Sequence, residues 1–324
     1  MSESSPLLQV DNLVTQYRIR RAGQLQRRPV LRAVDDVSLT IDVGETLGVV
    51  GESGGGKTTL GLSILRLVPA ERGTVTFQQR DVLGAGRAEL KELRRQMQII
   101  LQDPVGALDP RKTIADSVAE GLRIQRLADK AHARGQAIEM LDRVGLTSTQ
   151  ARRYPHELSG GQLQRAGIAR ALVVGPRLVV CDEPVSALDP SIQAQIINLL
   201  TDLQRERELA FLFIAHNLGV VRHISDRIAV MYLGRIVETG PTADLFQAPA
   251  HPYTRALLSS IPTADAATRR DRIVLSGEVP SPVAPPGGCR FRTRCPSAMP
   301  RCVDAAPELK EHRPGHSVAC FLHE

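Results

Sequence analysis

Residues 51–58 read G-E-S-G-G-G-K-T, and this stretch decides the fold. It fits G-x-x-x-x-G-K-[ST], the pattern of a loop that wraps phosphate groups. Before it runs T-L-G-V-V (46–50), apolar and β-branched, which predicts a buried strand. After it runs T-L-G-L-S-I-L-R-L-V (59–68), apolar at helical spacing. Strand, glycine-rich loop, helix is the context the pattern requires. Glycines let backbone N–H groups converge on phosphate oxygens where side chains would block them, and the helix N-terminus adds partial positive charge. Lys57 is expected to reach the β- and γ-phosphates, and the Thr58 hydroxyl to join a Mg²⁺ shell. The candidate nucleotide-binding set is therefore Gly51, Glu52, Ser53, Gly54, Gly55, Gly56, Lys57, Thr58 and Thr59. A glycine-rich turn with a chance lysine is the alternative, and the flanking elements argue against it.

The chain has 324 residues, enough for two domains or one large domain with an appendage. No apolar run is long enough to span a bilayer, and the start M-S-E-S-S-P lacks the shape of a signal peptide, so a cytosolic protein is expected. The net charge of +6 raises nucleic acid as a partner. The basic stretches 18–21, with Arg27 and Arg28, and 87–97 read instead as an exposed loop and a solvated helix face. No aromatic residues interleave them as a base-stacking platform needs, so no nucleic-acid partner is expected.

Strand-like segments fill residues 7–50, and G-T-V-T-F (73–77) adds another. Residues 89–155 read as helical. From 159 the alternation returns: a helix at 162–174, a strand at 177–181, a helix at 191–206, a strand at 210–215, and a hairpin about Gly234. Strands alternating with helices imply βαβ units and a parallel sheet, hence an α/β fold. From 262 the chain turns Pro-rich, with V-P-S-P-V-A-P-P-G-G at 279–288 as a linker or an extended wrap.

Two further motifs carry chemistry. L-V-V-C-D-E (178–183) places Asp182 at the carboxyl edge of a strand, where a nucleotide-bound Mg²⁺ would lie. Glu183 follows, suited to orient or deprotonate a water attacking the γ-phosphate. L-S-G-G-Q (158–162) opens a helix with Ser159 as N-cap. Ser159, Gly160, Gly161 and Gln162 thus form a second anion-friendly helix start, suited to the nucleotide of a partner subunit.

Together these residues resemble the ATP-binding subunits of ABC transporters. The phosphate loop (51–58), Gln102 in I-I-L-Q-D-P, the signature (158–162), the acidic strand (178–183), S-A-L-D (186–189) and His216 in F-I-A-H-N stand in that family's order. The resemblance implies a P-loop NTPase of the ABC type, with a RecA-like core, an N-terminal β subdomain and a helical insertion over about 89–158. It implies a nucleotide-binding domain over 1–262 and an extension over 263–324. Tyr17 would stack on adenine. Gln102 would meet Mg²⁺ or the attacking water, Glu183 would be the catalytic carboxylate, and His216 would touch the γ-phosphate. Ser159 and Gly161 would close over ATP on the opposite subunit, with Asp189 tying the two sites together.

R-Y-P-H-E-L-S-G-G-Q, S-I-Q-A-Q-I-I-N-L-L and H-P-Y-T-R-A-L-L-S-S-I-P (251–262) resemble the oligopeptide and dipeptide importers, as does the cysteine-bearing tail. That resemblance implies a second ATPase subunit, two membrane permeases, an external peptide-binding protein met only indirectly, and a place on the cytoplasmic face of the membrane. Import of another solute such as a nickel chelate is the alternative, followed by a non-transport ABC ATPase or an exporter. Cys289, Cys295, Cys302 and Cys320 crowd the last 36 residues, whereas Cys181 stands alone in an apolar run. Four thiolates suit an iron–sulfur cluster, and the resemblance favours [4Fe–4S]; a zinc site and unligated thiols in a reducing cytosol stay open.

Overall fold

The computed structural model describes residues 5–19, 29–261 and 273–324. The expected basic loop at Arg20, Arg21, Arg27 and Arg28, and the boundary at 262, lie outside these. The chain forms two compact units. Of the described residues, one unit, the phosphate-loop unit, comprises 8–19, 29–40, 46–76, 215–261 and 273–324; the other, the acidic-strand unit, comprises 5–7, 41–45 and 77–214.

In the phosphate-loop unit the strands Val30–Ile41, Leu8–Arg18 and Arg72–Phe77 lie side by side in that order. A second group of strands holds the site. Thr46–Val50 is buried along its whole length, as its unbroken apolar run predicts. It pairs in parallel with Arg227–Tyr232, Val50 opposite Val230. Arg227–Tyr232 turns through Leu233 and Gly234 into the antiparallel Arg235–Pro241, which is the hairpin expected about Gly234. The tail then adds two strands that the sequence did not announce. His316–Val318 pairs with Arg235–Pro241, and Lys310–Arg313 pairs with His316–Val318. Both are too short to show an alternating pattern. What anchors them is a buried acid: the Glu238 carboxylate accepts N–H bonds from Ala250 at 2.7 Å and His251 at 2.9 Å and lies 2.8 Å from His316 Nε2.

In the acidic-strand unit, Met97–Ile100, Leu178–Asp182 and Ala210–Ala215 run parallel, with Ile100 opposite Cys181 and Asp182 opposite Ile214. The helix Pro190–Arg207 joins the last two, as a βαβ crossover should. Met97–Ile100 is a strand inside the segment 89–155 that reads as helical. Its Q-I-I sequence pairs with a buried neighbour, and that pairing overrides the helical run before it. The rest of the segment is helical. Ile114–Ile124 and Lys130–Arg143 are capped by the side chains of Thr113 and Asp129 and bury Val118, Leu122, Ala137 and Leu141. Among the described residues no helix is long and apolar enough to cross a membrane.

Candidate functional site

The loop after Thr46–Val50 has the shape its glycines allow. At Gly51, φ is +150°, and a Cβ there would lie 2.1 Å from the Met231 carbonyl oxygen. At Gly56, φ is +98°, and a Cβ would lie 1.9 Å from the Ala33 carbonyl oxygen. Neither position admits a side chain without moving backbone. The loop is closed by Gly55 N–H to the Glu52 carbonyl (3.2 Å) and tied to the hairpin by Gly234 N–H to the Gly55 carbonyl (2.9 Å). Lys57 opens the helix Lys57–Ile64, and its side chain folds back over the loop. Its ammonium donates to the carbonyls of Gly51 and Glu52, both at 2.9 Å, and only 5% of the residue is exposed. An ammonium held across a glycine-rich loop at a helix start is chemically suited to phosphate oxygens. Thr58 is exposed in the first turn and Thr59 half-buried.

In the same unit, Tyr17 stands near the end of Leu8–Arg18, 37% exposed, available for a flat ring to lie against it. His216 is exposed just past the strand Ala210–Ala215. Asn217 follows it and caps the helix Leu218–Ile224 by accepting the Gly219 N–H.

The acidic-strand unit places its own candidates together. Asp182 ends its strand with 6% exposure. Glu183 sits at φ +46°, a left-handed conformation that costs a non-glycine residue roughly 1–3 kcal/mol and recurs at functional positions. Its N–H donates to the Ile214 carbonyl at 3.0 Å, which holds that strained turn. Gln102 reaches it after Met97–Ile100: its side-chain amide donates to Glu183 Oε2 at 3.0 Å and to Ser186 Oγ at 3.3 Å. Ser186 in turn donates from Oγ to the Glu183 carbonyl (3.2 Å). The structure thus joins Gln102 to Glu183, a contact the sequence reading did not include, and adds Ser186 to the pair. Ser159 begins the helix Gly160–Leu172 through a capping box with Gln162, whose side chain accepts the Ser159 N–H at 3.0 Å. At Gly161 a Cβ would lie 2.8 Å from Ile192 Cγ2, so the helix start stays bare of side chains because of its neighbour.

The tail contributes to the phosphate-loop unit in ways its motifs did not spell out. His251 caps the helix Pro252–Ser259 by accepting the Tyr253 N–H on Nδ1 (3.0 Å), with Pro252 at the first helical position. Burial, then the nearby His323 and Arg255 charges, push the His251 imidazole down to about 3. Tyr253 Oη accepts the Glu52 N–H at 2.8 Å, and Arg294 grips the Glu52 carboxylate with its two terminal guanidinium nitrogens, at 2.7 and 3.1 Å. Arg290 bonds the buried Asp35 carboxylate and the Leu233 carbonyl. Burial works to raise the Asp35 carboxyl, but the Arg290 and Arg235 guanidiniums outweigh it and hold it below the usual carboxylate range.

The four tail cysteines are free thiols, Cys302 buried and the others half-buried, with the Cys289 N–H bonded to the Cys302 carbonyl at 2.9 Å. Burial pushes the Cys289 thiol up to about 11 and raises those of Cys295 and Cys320. Among the described residues no group of three or more His, Cys, Asp or Glu side chains is placed to hold a metal ion. The expectation of an iron–sulfur cluster or zinc there finds no support in this arrangement. The Mg²⁺ expectation is a different case, because Mg²⁺ takes one or two protein oxygens and completes its shell from phosphates and water. A Thr hydroxyl and an Asp carboxylate are fitting donors.

Comparison with known proteins gives the family. The family described as ABC transporter matches residues 34–186. The family described as oligopeptide/dipeptide transporter, C-terminal region, matches residues 237–302. A Brucella ovis protein named "Putative peptide import ATP-binding protein" is 50% identical over 317 residues, covering 98% of each chain. The Bacillus subtilis oligopeptide transport ATP-binding protein AppF is 48% identical over 314 residues, covering 96% of this chain and 95% of that one. Among solved structures, the post-hydrolysis dimer of the ATP-binding cassette MJ0796 bound to ADP and Pi aligns with a TM-score of 0.65 at 27% identity, over 72% of this chain and 98% of that one. Near-complete coverage at this identity, on a P-loop NTPase fold of the cassette type, means that the chain belongs to the family of ABC-transporter ATP-binding proteins, in its oligopeptide/dipeptide branch.

Proposed function

We propose that this chain is the ATP-binding and ATP-hydrolysing subunit that powers peptide import through an ABC transporter. The observation that carries the reading is the kinship over nearly the whole chain, tail included, with proteins named for peptide import and oligopeptide transport. In this reading the loop Gly51–Thr58 with Thr59 binds the phosphates of ATP, Lys57 neutralises the β- and γ-phosphates, and Tyr17 stacks on adenine. Thr58, Asp182 and Gln102 would offer oxygens to Mg²⁺, which would supply charge stabilisation to the transferring phosphoryl group when bound. Glu183 orients and deprotonates the attacking water, held by Gln102 through the hydrogen bond described above, and His216 contacts the γ-phosphate. Ser159, Gly160, Gly161 and Gln162 serve the nucleotide of a second ATPase subunit.

The partners proposed are that second subunit, two transmembrane permeases and, through them, an external peptide-binding protein; the place is the cytoplasmic face of the membrane. A cavity of about 250 Å³ in the acidic-strand unit supports a permease contact. It is lined by Ile100, Pro104, Ile124, Gln125 and Gln164, directly beside the Gln102 segment, and Ile124 is 61% exposed. A [4Fe–4S] centre, or zinc, at Cys289, Cys295, Cys302 and Cys320 is a finer proposal, carried by the thiolate donor set and the family resemblance alone. Iron, sulfide and zinc analysis of anaerobically purified protein decides it.

The test of function is Glu183→Gln in the assembled complex. Mg-ATP binding should persist while turnover falls roughly 10²-fold or more, the scale of removing a positioned general base. Turnover at the wild-type rate sinks the assignment of Glu183. A chain that binds no Mg-ATP at all sinks the whole reading.

A further inference from the structure

Glu52 is the one acid in the phosphate loop. A carboxylate is a poor neighbour for a polyphosphate, since like charges repel across a partly desolvated site. The structure deals with this acid through Arg294 of the tail and Tyr253 of the helix Pro252–Ser259 just before it. Arg294 meets the Glu52 carboxylate in a fork of two hydrogen bonds, 2.7 and 3.1 Å, with only 8% of the arginine side chain and 28% of the glutamate side chain exposed. Such bidentate pairs fix direction as well as charge. At its other end Glu52 gives its N–H to Tyr253 Oη at 2.8 Å.

Both partners are built in. The Arg294 N–H bonds the Phe291 carbonyl at 2.9 Å. The Phe291 ring, 1% exposed, packs on Tyr232 (5.3 Å between centroids), Tyr253 (5.4 Å) and His251 (5.6 Å). Val279, from the Pro-rich stretch, lines the same crevice as Glu52, Ser53 and Gly55.

We propose that Arg294 and Tyr253 are positioning residues for the phosphate loop. Arg294 cancels and aims the Glu52 carboxylate, Tyr253 fixes the Glu52 peptide, and the tail thereby sets the affinity of the loop for Mg-ATP. This rests on the reading of residues 51–58 as the ATP site. An uncancelled Glu52 repels the phosphates of ground state and transition state alike, so the loss appears in KM more than in kcat.

The test is a double-mutant cycle on the full chain, with Mg-ATP affinity measured by titration of a fluorescent ATP analogue and KM and kcat measured in the co-purified complex. Arg294→Ala should weaken Mg-ATP about tenfold, mostly in KM, and Arg294→Lys, which keeps the charge but not the fork, should recover only part of the affinity. The decisive variant is Glu52→Gln/Arg294→Ala. With the carboxylate gone, affinity should return to within about threefold of wild type, a coupling energy between residues in contact. Tyr253→Phe removes one acceptor and should cost about threefold by itself, the scale of one hydrogen bond, whether or not the Arg294 variants fold. The proposal is overturned if Arg294→Ala binds as wild type does, or if the double variant is as weak as the single one, the sign of an arginine that only anchors the tail. It is also overturned if Tyr253→Phe has no effect. Failure of the wild-type chain to bind Mg-ATP overturns instead the assignment of the loop itself.

Discussion

Acidification should loosen the tail through one residue, His251. Its Nδ1 accepts the Tyr253 N–H, so the folded state requires the neutral ring. Burial with 2% exposure leaves no water to solvate a charge, and the imidazole titrates only near 3 in the fold. An unfolded histidine titrates near ~6.5. Below that value the unfolded chain holds a proton that the folded chain does not, so stability falls as pH falls. This single group should cost about 1.4 kcal/mol between pH 7.5 and 5.5, and about 2.7 kcal/mol by pH 4.5, levelling off only near the folded value. His251→Asn is the matched control. Asparagine is among the best N-cap residues and can accept the same N–H, but it does not titrate. Urea unfolding of both chains at pH 7.5, 6.5, 5.5 and 4.5 measures the difference, in which the contributions of the other titrating groups cancel. The wild type should lose stability more steeply, by about 1.3 kcal/mol per pH unit between 5.5 and 4.5. Parallel curves for the two chains refute the reasoning, because they would mean that His251 is protonated as easily folded as unfolded.

Two further outcomes test the geometry directly. Gly56→Ala forces a side chain at φ +98° to within 1.9 Å of the Ala33 carbonyl oxygen. The loop must shift, and Mg-ATP affinity should fall at least tenfold while overall stability drops by roughly 1–3 kcal/mol; equilibrium binding and thermal unfolding separate the two. Glu238→Ala strips acceptors from the N–H groups of Ala250 and His251 and from His316, all buried. At ~1–3 kcal/mol for each orphaned group, the tail strands His316–Val318 and Lys310–Arg313 should lose their hydrogen-exchange protection before the rest of the chain. Unchanged protection there would show that Glu238 does not anchor them.

Much of the site was legible because it is local. The loop at 51–58 is written in glycines whose backbone angles and close approaches no other residue tolerates, and its strand and helix lie directly on either side. The acidic pair at 182–183 and the capped helix start at 159 likewise need only their own neighbours in sequence. Met97–Ile100 was misread because a short apolar run takes its conformation from its pairing partner, here Leu178–Cys181, some eighty residues away. The four tail cysteines were legible as a set, yet their spacing alone did not decide whether they bind an ion, and among the described residues no group of three or more such side chains is placed to do so.

What the sequence by itself determined, then, is the chemistry available: a glycine-rich loop of the phosphate-binding pattern, an acidic strand end, a capped Ser-Gly helix start and a family. What only tertiary structure decided is who holds these groups in place. Gln102 finds Glu183 across 81 positions, and Arg294 finds Glu52 across 242. Backbone geometry is set by steric rules that act within a few residues, so a local pattern reveals it. The partner of a side-chain charge is chosen by burial and packing of distant segments, and no spacing in the sequence records that choice.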